Sequence, residues 1–318
     1  MARSGQEGAR GATAGRHGPE QEFDPPFEVL EPRRLTSAVV LSSPHSGRVY
    51  PARFLQSAKL DAASLRRSED AFVDELFTPA VELGAPLLRA HFPRCYLDLN
   101  REPYELDPRM FEGRLPAYVN THSVRVAGGR GTIARVVGDS QEIYAKRLSV
   151  EDALRRIEDL HKPYHAALEG LVGRAVRHFG LAVLVDCHSM PSSSISGTVD
   201  PSAWRDDKVR VDFVLGDRHG TSCSASFVDA AEGQLRRFGY TVERNKPYAG
   251  GFITEHYGHP QAGRHALQIE INRALYMKEK TLEYGPGFDT LSRRLAAVIA
   301  AISDVADAGH GSVRVAAE

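Results

Sequence analysis

"GLAVLVDCHSMP" (Gly180–Pro191) runs five apolar residues, Leu181 to Val185, straight into Asp186, Cys187, His188 and Ser189. An unbroken apolar run this short, closed by turn signals, is the pattern of a strand covered on both faces, as in a parallel sheet. In open α/β sheets ligands collect beyond the carboxyl ends of the strands. His188 therefore stands where a site belongs, or else caps the turn that follows. Strand alternation puts Asp186 and His188 on one face and Cys187 on the other, and Cys187 reads as a small buried hydrophobe.

Outward from this strand the same grammar repeats. "SAVVLSSPHSG" (37–47) is a second buried strand ending in a turn, and "APLLRA" (85–90) and "RCYLDLN" (94–100) read as two shorter ones. Between them "SEDAFVDELFTPAVELG" (68–84) has helical spacing at Phe72, Leu76, Phe77, Ala80 and Leu83, with Gly84 just past its end. Residues 151–179 carry a long helical pattern in which Pro163 predicts a kink or a break. Downstream lie a strand near 211–215, a helix over about 222–238, a strand at 240–243, the alternating "HALQIEINRALY" (265–276) and a helix around 291–306. Strands alternating with helices predict an α/β fold with a largely parallel sheet. "PAYVNTHSVRVAGGRGTIARVVGD" (116–139) is too long for a simple connection and reads as a substrate-covering loop.

Bulk properties exclude several classes. With a formal net charge of −1 over 318 residues, there is no electrostatic footprint for nucleic acid or an acidic membrane surface. No apolar stretch reaches bilayer length. The first 24 residues lack the apolar core of a secretory signal and read as a disordered tail, leaving 25–318 as a single domain. Cys95, Cys187 and Cys223 form no CxxC pair and no disulfide framework, which predicts a reducing, cytoplasmic setting.

Two histidines after two buried strands, His45 and His188, point to metal, because neutral imidazole is the commonest protein ligand for zinc. Asp186 suits a supporting role, taking the spare ring N–H of a ligating histidine. A catalytic zinc needs a third ligand. Glu69, Asp70, Asp74 and Glu75 are available, although acids at the start of a helix also favour its dipole without any metal. Asp70 lies nearest the buried edge. In "HALQIEINR" the residues Leu267, Ile269 and Ile271 share one face and Gln268, Glu270 and Asn272 the other, which is either a surface or a polar pocket wall. Beside a metal, Glu270 would take a proton from water and hand it to a departing amine. Asn100 with Arg101 suits a substrate carboxylate, or Arg101 makes a surface salt bridge. "HKPYH" (161–165) has the spacing of a zinc pair, but Lys162 stands where a catalytic Glu is needed, so His161 and His165 read as packing. No GxSxG elbow accompanies the serines after His188.

In order, "PHSG" (44–47), "EDAFVDELF" (69–77), "DLNR" (98–101), "GGRGTIARVV" (128–137), "HKPYH", "DCHSMP" (186–191), "PYAGGFITEHYG" (247–258) and "LQIEINRALYM" (267–277) resemble the N-formylglutamate amidohydrolase family, and more distantly the zinc carboxypeptidases and aspartoacylase. The resemblance implies a three-layer fold of zinc-exopeptidase type, its mostly parallel or mixed central sheet flanked by helices. It implies hydrolysis of N-formyl-L-glutamate to formate and glutamate, as in histidine degradation. The alternative is a related zinc amidohydrolase acting on another N-acyl amino acid or a small peptide. His45, Asp70 and His188 would hold zinc or another divalent transition metal, and Glu270 would act as base. Asn100, Arg101, Arg135, Gly250 and Gly251 would bind a small molecule with carboxylates, with Arg273 an alternative to Arg135 for the second carboxylate. The distant relatives carry a carboxylate three residues after the first ligating histidine; here that position is Arg48, and Asp70 takes over the role.

Overall fold

The computed structural model describes residues 23–138, 140–195 and 211–315. The expected tail lies outside the described residues up to position 22, and Phe23 is already buried, its ring against Phe92 and Tyr96. The main sheet has seven strands: β1 (Phe27–Leu30), β2 (Val39–Ser43), β3 (Leu87–Ala90), β4 (Ala182–Met190), β5 (Phe213–Gly216), β6 (Val242–Arg244) and β7 (Arg264–Asn272). Their spatial order is β1-β3-β2-β4-β7-β5-β6. The four central strands, β3, β2, β4 and β7, run parallel, while β1 and β5 pair antiparallel to the edges of that group and β6 follows β5. The sheet is thus mixed, with a parallel centre.

Every residue of β4 is buried, as a strand covered on both faces requires. Alternate residues feed two cores. Val183, Val185 and Cys187 join Val39, Leu41, Leu267 and Ile269 under helices α1 (Val73–Phe77), α4 (Ala225–Arg237) and α6 (Phe288–Val315). Ala182 and Leu184 join Val40, Leu88 and Ala266 on the other face, beneath α3 (Lys162–Phe179). These are the three layers expected. Two further helices complete the frame: α2 (Val150–Arg156), and α5 (Phe252–Tyr257) after the Gly250-Gly251 turn.

Three local expectations need correction. The long helical pattern does not simply break at Pro163; α2 and α3 are joined by a π-helical turn over Ile157–His161. Proline cannot donate the i→i−4 bond, and placing it in the first turn of α3 makes that loss harmless. "RCYLDLN" is not a strand but a series of buried turns, in which the Asp98 N–H donates to Thr132 O at 2.7 Å. The helix expected from residue 68 begins only at Val73, after Phe72 at φ 65°, and continues as a 3-10 helix over Thr78–Leu83. Asp70 is thereby freed from the helix, and its N–H donates to His45 O at 3.0 Å.

Candidate metal centre and active-site pocket

The parallel centre brings its carboxyl ends together. His45 lies two residues past β2, and His188 sits near the end of β4. Glu270 on β7 pairs in register with His188, one step beyond Gln268 opposite Asp186. The turn "PHSG" can cross here because Gly47 has no side chain; a Cβ would lie 2.0 Å from Phe92 O.

His45 Nε2 donates to Asp98 Oδ1 at 2.7 Å, and His188 Nε2 lies 2.8 Å from Asp186 Oδ2. An ionised carboxylate only accepts, so Asp98 places the N–H of His45 on Nε2 and its lone pair on Nδ1, while the His188 ring stands between two carboxylates, Asp186 and Asp70. Both Nδ1 atoms turn to Asp70 Oδ2, at 3.4 Å for His45 and 2.9 Å for His188. One donor atom from each of His45, Asp70 and His188 lies within 4.8 Å of the others, and all three residues are buried. Among the described residues, His45 Nδ1 makes no hydrogen bond. Two imidazoles backed by carboxylates, with their Nδ1 atoms aimed at a third carboxylate, fit a divalent transition metal.

The Asp70 carboxylate and the His188 imidazole answer each other's charge. Burial alone would raise the Asp70 carboxyl, but the hydrogen bond to His188 and the nearby His45 imidazole hold it well below the usual range. Burial alone would lower the His188 imidazole, but the charge of Asp186 and hydrogen bonds to Asp186 and Asp70 push it well above. Asp70 is fixed from behind: Arg273 Nη2 donates to its Oδ1 at 3.1 Å and Ser189 Oγ at 3.3 Å. The other acids nearby are engaged elsewhere. Glu69 accepts from Tyr50 and Arg66, Asp74 from Arg48 and Arg89, and Glu75 from Tyr284.

Since second partners of a ligating histidine typically carry 10- to 100-fold in metal affinity, Asp98→Asn should weaken metal binding by about that much. Titration of the stripped variant with zinc checks this; unchanged affinity would show that Asp98 does not hold the tautomer of His45.

Glu270 faces a pocket of about 450 Å³ whose wall includes His45, His188, Asn100 and Gln268. Burial pushes the Glu270 carboxyl up to about 7, with His188 opposing and Asp70 adding to the rise. Gln268 aims it, donating Nε2 to Glu270 Oε1 at 2.9 Å while accepting from the Gly251 N–H at 3.0 Å.

The residues expected to bind substrate part company. Arg101 lines the pocket, its Nε and Nη1 on the carbonyls of Arg130 and Asn100. Asn100 lines it too, but its amide is engaged: Nδ2 donates to Asp186 at 3.0 Å and Oδ1 accepts from the Ile253 N–H at 2.8 Å. Arg135 points elsewhere. Its Nε donates to Asp107 at 3.0 Å, while its neighbours Ala134 and Val136 reach the pocket. Gly250 and Gly251 line the wall, and the Gly251 N–H already serves Gln268. A Cβ on Gly251 would lie 2.4 Å from Asn100 Oδ1. Gly251→Ala should therefore dislodge Asn100 and lower kcat/KM at least about tenfold, as small misplacements of a positioned site do. Wild-type kinetics in that variant would show that Asn100 does not tie the turn to the site.

His161 and His165 behave as packing groups with a definite task. Their Nε2 atoms donate to the carbonyls of Arg101 and Leu99, both at 2.9 Å, clamping the turn that carries Asp98 and Asn100. Burial pushes His161 down to about 4 and His165 to about 3, so both stay neutral. The pairing of Arg273 with Asp70, and the part of Arg94, escaped the sequence. Arg94 donates to Asp98 Oδ2 at 3.0 Å, and no spacing signal links Arg273 to an acid so far away in the chain.

Residues 37–277 match the family described as N-formylglutamate amidohydrolase. The N-formylglutamate deformylase of Pseudomonas aeruginosa is 30% identical over 257 residues, covering 80% of this chain and 87% of the relative. That of Pseudomonas putida is 28% identical over 245 residues, covering 76% and 82%. Among solved structures, an N-formylglutamate amidohydrolase from Ralstonia eutropha JMP134 superposes with a TM-score of 0.82 at 39% identity, covering 89% of this chain and 99% of the other. An Agrobacterium tumefaciens gene product at 17% identity and TM-score 0.62 shares the fold.

Proposed function

The chain belongs to the N-formylglutamate amidohydrolase family, and from that premise we propose that it hydrolyses N-formyl-L-glutamate to formate and L-glutamate with a divalent metal at His45, Asp70 and His188. The observation that carries this reading is the pair of carboxylate-backed imidazoles turning their Nδ1 atoms onto Asp70 beside Glu270. Zinc, or another divalent transition metal, supplies Lewis acidity toward water and the formyl carbonyl when bound there.

The chain's own groups do the rest. Asp98 and Asp186 orient the two rings through their Nε2 atoms. Glu270, aimed by Gln268, takes a proton from the attacking water and returns it to the nitrogen of the departing glutamate. A carboxyl poised near neutrality serves both transfers. Arg101 on the pocket wall takes a substrate carboxylate, and Asn100 positions the turn at 250–251 instead of meeting the substrate. A place in histidine degradation belongs to the same proposal.

The test is a panel: formate and amine release from N-formyl-L-glutamate, N-acetyl-L-glutamate and N-formyl dipeptides. A preference for N-formyl-L-glutamate in kcat/KM is expected. Turnover of the others without it would replace the substrate and keep the site.

A further inference from the structure

Four arginines of the pocket lining are linked to one another through Asp98 and the 125–130 turn. Arg94, Arg101, Arg125 and Arg130 all line this wall. Arg101 Nε donates to Arg130 O at 2.9 Å, and the Arg130 N–H donates to Arg125 O at 2.8 Å, so the 125–130 turn is stitched to Arg101. Among the described residues, the carboxylates in contact with these four are Asp98 and Glu105. Asp98 is 3.0 Å from Arg94 and 3.6 Å from Arg101; Glu105 is 3.6 Å from Arg125, too far for a hydrogen bond. Glu105 Oε2 is itself buried without a hydrogen-bond partner.

Asp70 and Glu270 also act on Arg94, and among the described residues the guanidiniums of this group with no carboxylate within hydrogen-bond distance are those of Arg101, Arg125 and Arg130. The strain of gathering like charges is visible at Arg101. Burial lowers its guanidinium below the ordinary value, Asp98 opposes, and the neighbouring charges of Arg94 and Arg125 lower it further. Three guanidiniums without a hydrogen-bonded acid suit a small molecule with two carboxylates, since the planar fork of arginine fits each of them.

We propose that Arg125 and Arg130 form the subsite for the side-chain carboxylate of the substrate, with Arg101 on its other carboxylate. The pair thereby selects N-acyl amino acids with acidic side chains over neutral ones of the same shape. This rests on the amide-hydrolase reading above and replaces Arg135, whose guanidinium is held by Asp107. A neutral side chain in this subsite leaves both guanidiniums without a carboxylate partner, which is how a polar site rejects an isostere.

The experiment compares kcat/KM for N-formyl-L-glutamate and N-formyl-L-glutamine in wild type, Arg125→Met, Arg130→Met and Arg67→Met. Both rates come from one preparation, so any unfolded fraction cancels in their ratio. The ratio should fall at least about 30-fold in Arg125→Met and Arg130→Met, since the discriminating charge pair is lost. Arg67, bonded to Ser64 and Gln141 at the rim of the same pocket, should leave the ratio as it is. An unchanged ratio, or equal losses on both substrates, in the Arg125 and Arg130 variants would overturn the subsite. An equal fall in Arg67→Met would reduce it to general electrostatic attraction and overturn it as well. A wild type inactive on N-formyl-L-glutamate would instead overturn the hydrolase reading.

Discussion

Glu270→Gln should lower kcat for N-formyl-L-glutamate by about 10³-fold while metal content stays at the wild-type level, since a positioned acid–base group contributes 10²–10⁴. Glutamine keeps the shape of the side chain, and its Oε1 can still accept from Gln268 Nε2. What it loses is a carboxylate able to take up a proton and give it back. The geometry separates this residue from the metal ligands: Glu270 lies beside His188 in register but contributes no atom to the His45-Asp70-His188 group. Measuring zinc by elemental analysis alongside formate release checks both halves. Full activity would remove Glu270 from the mechanism, and loss of metal together with activity would make it a ligand.

Asp70→Asn should cost at least about 100-fold in metal affinity and leave the protein inactive at ordinary zinc concentrations, because an anionic ligand becomes a neutral amide between two imidazoles. A second effect comes from behind. Arg273 donates to Asp70 Oδ1, and its side chain is 9% exposed, so the substitution leaves a nearly buried guanidinium without its charge partner. Breaking a buried pair this way costs about 3 kcal/mol or more, which denaturant unfolding of the metal-free proteins would register. Wild-type affinity in this variant would return the third ligand to Glu69, Asp74 or Glu75. Their bonds to Tyr50, Arg66, Arg48, Arg89 and Tyr284 argue against that.

The sheet was largely readable from residue order. Apolar runs at 181–185 and 39–41 are what a two-sided strand needs, and the histidines after them mark carboxyl ends. The alternation of Leu267, Ile269 and Ile271 placed Glu270 and Gln268 together on one face, as their hydrogen bond bears out. "DLNR" misled in form: its alternation belongs to buried turns, because a chain fixed at Pro93 and at Thr132 O satisfies its backbone without a ladder partner. The short β1 lacks any strong strand pattern and went unseen. What the sequence could not reveal are meetings across long separations. Arg273 reaching Asp70, Asp98 reaching His45 and Asp107 drawing Arg135 from the pocket depend on packing, not on local period.

The most direct measurement is formate release from N-formyl-L-glutamate by the purified protein, stripped with a chelator and then titrated with zinc while bound metal is counted. Activity should vanish on stripping and return in proportion to one zinc per chain. Undiminished activity in protein shown to be free of metal would contradict the role given to His45, Asp70 and His188.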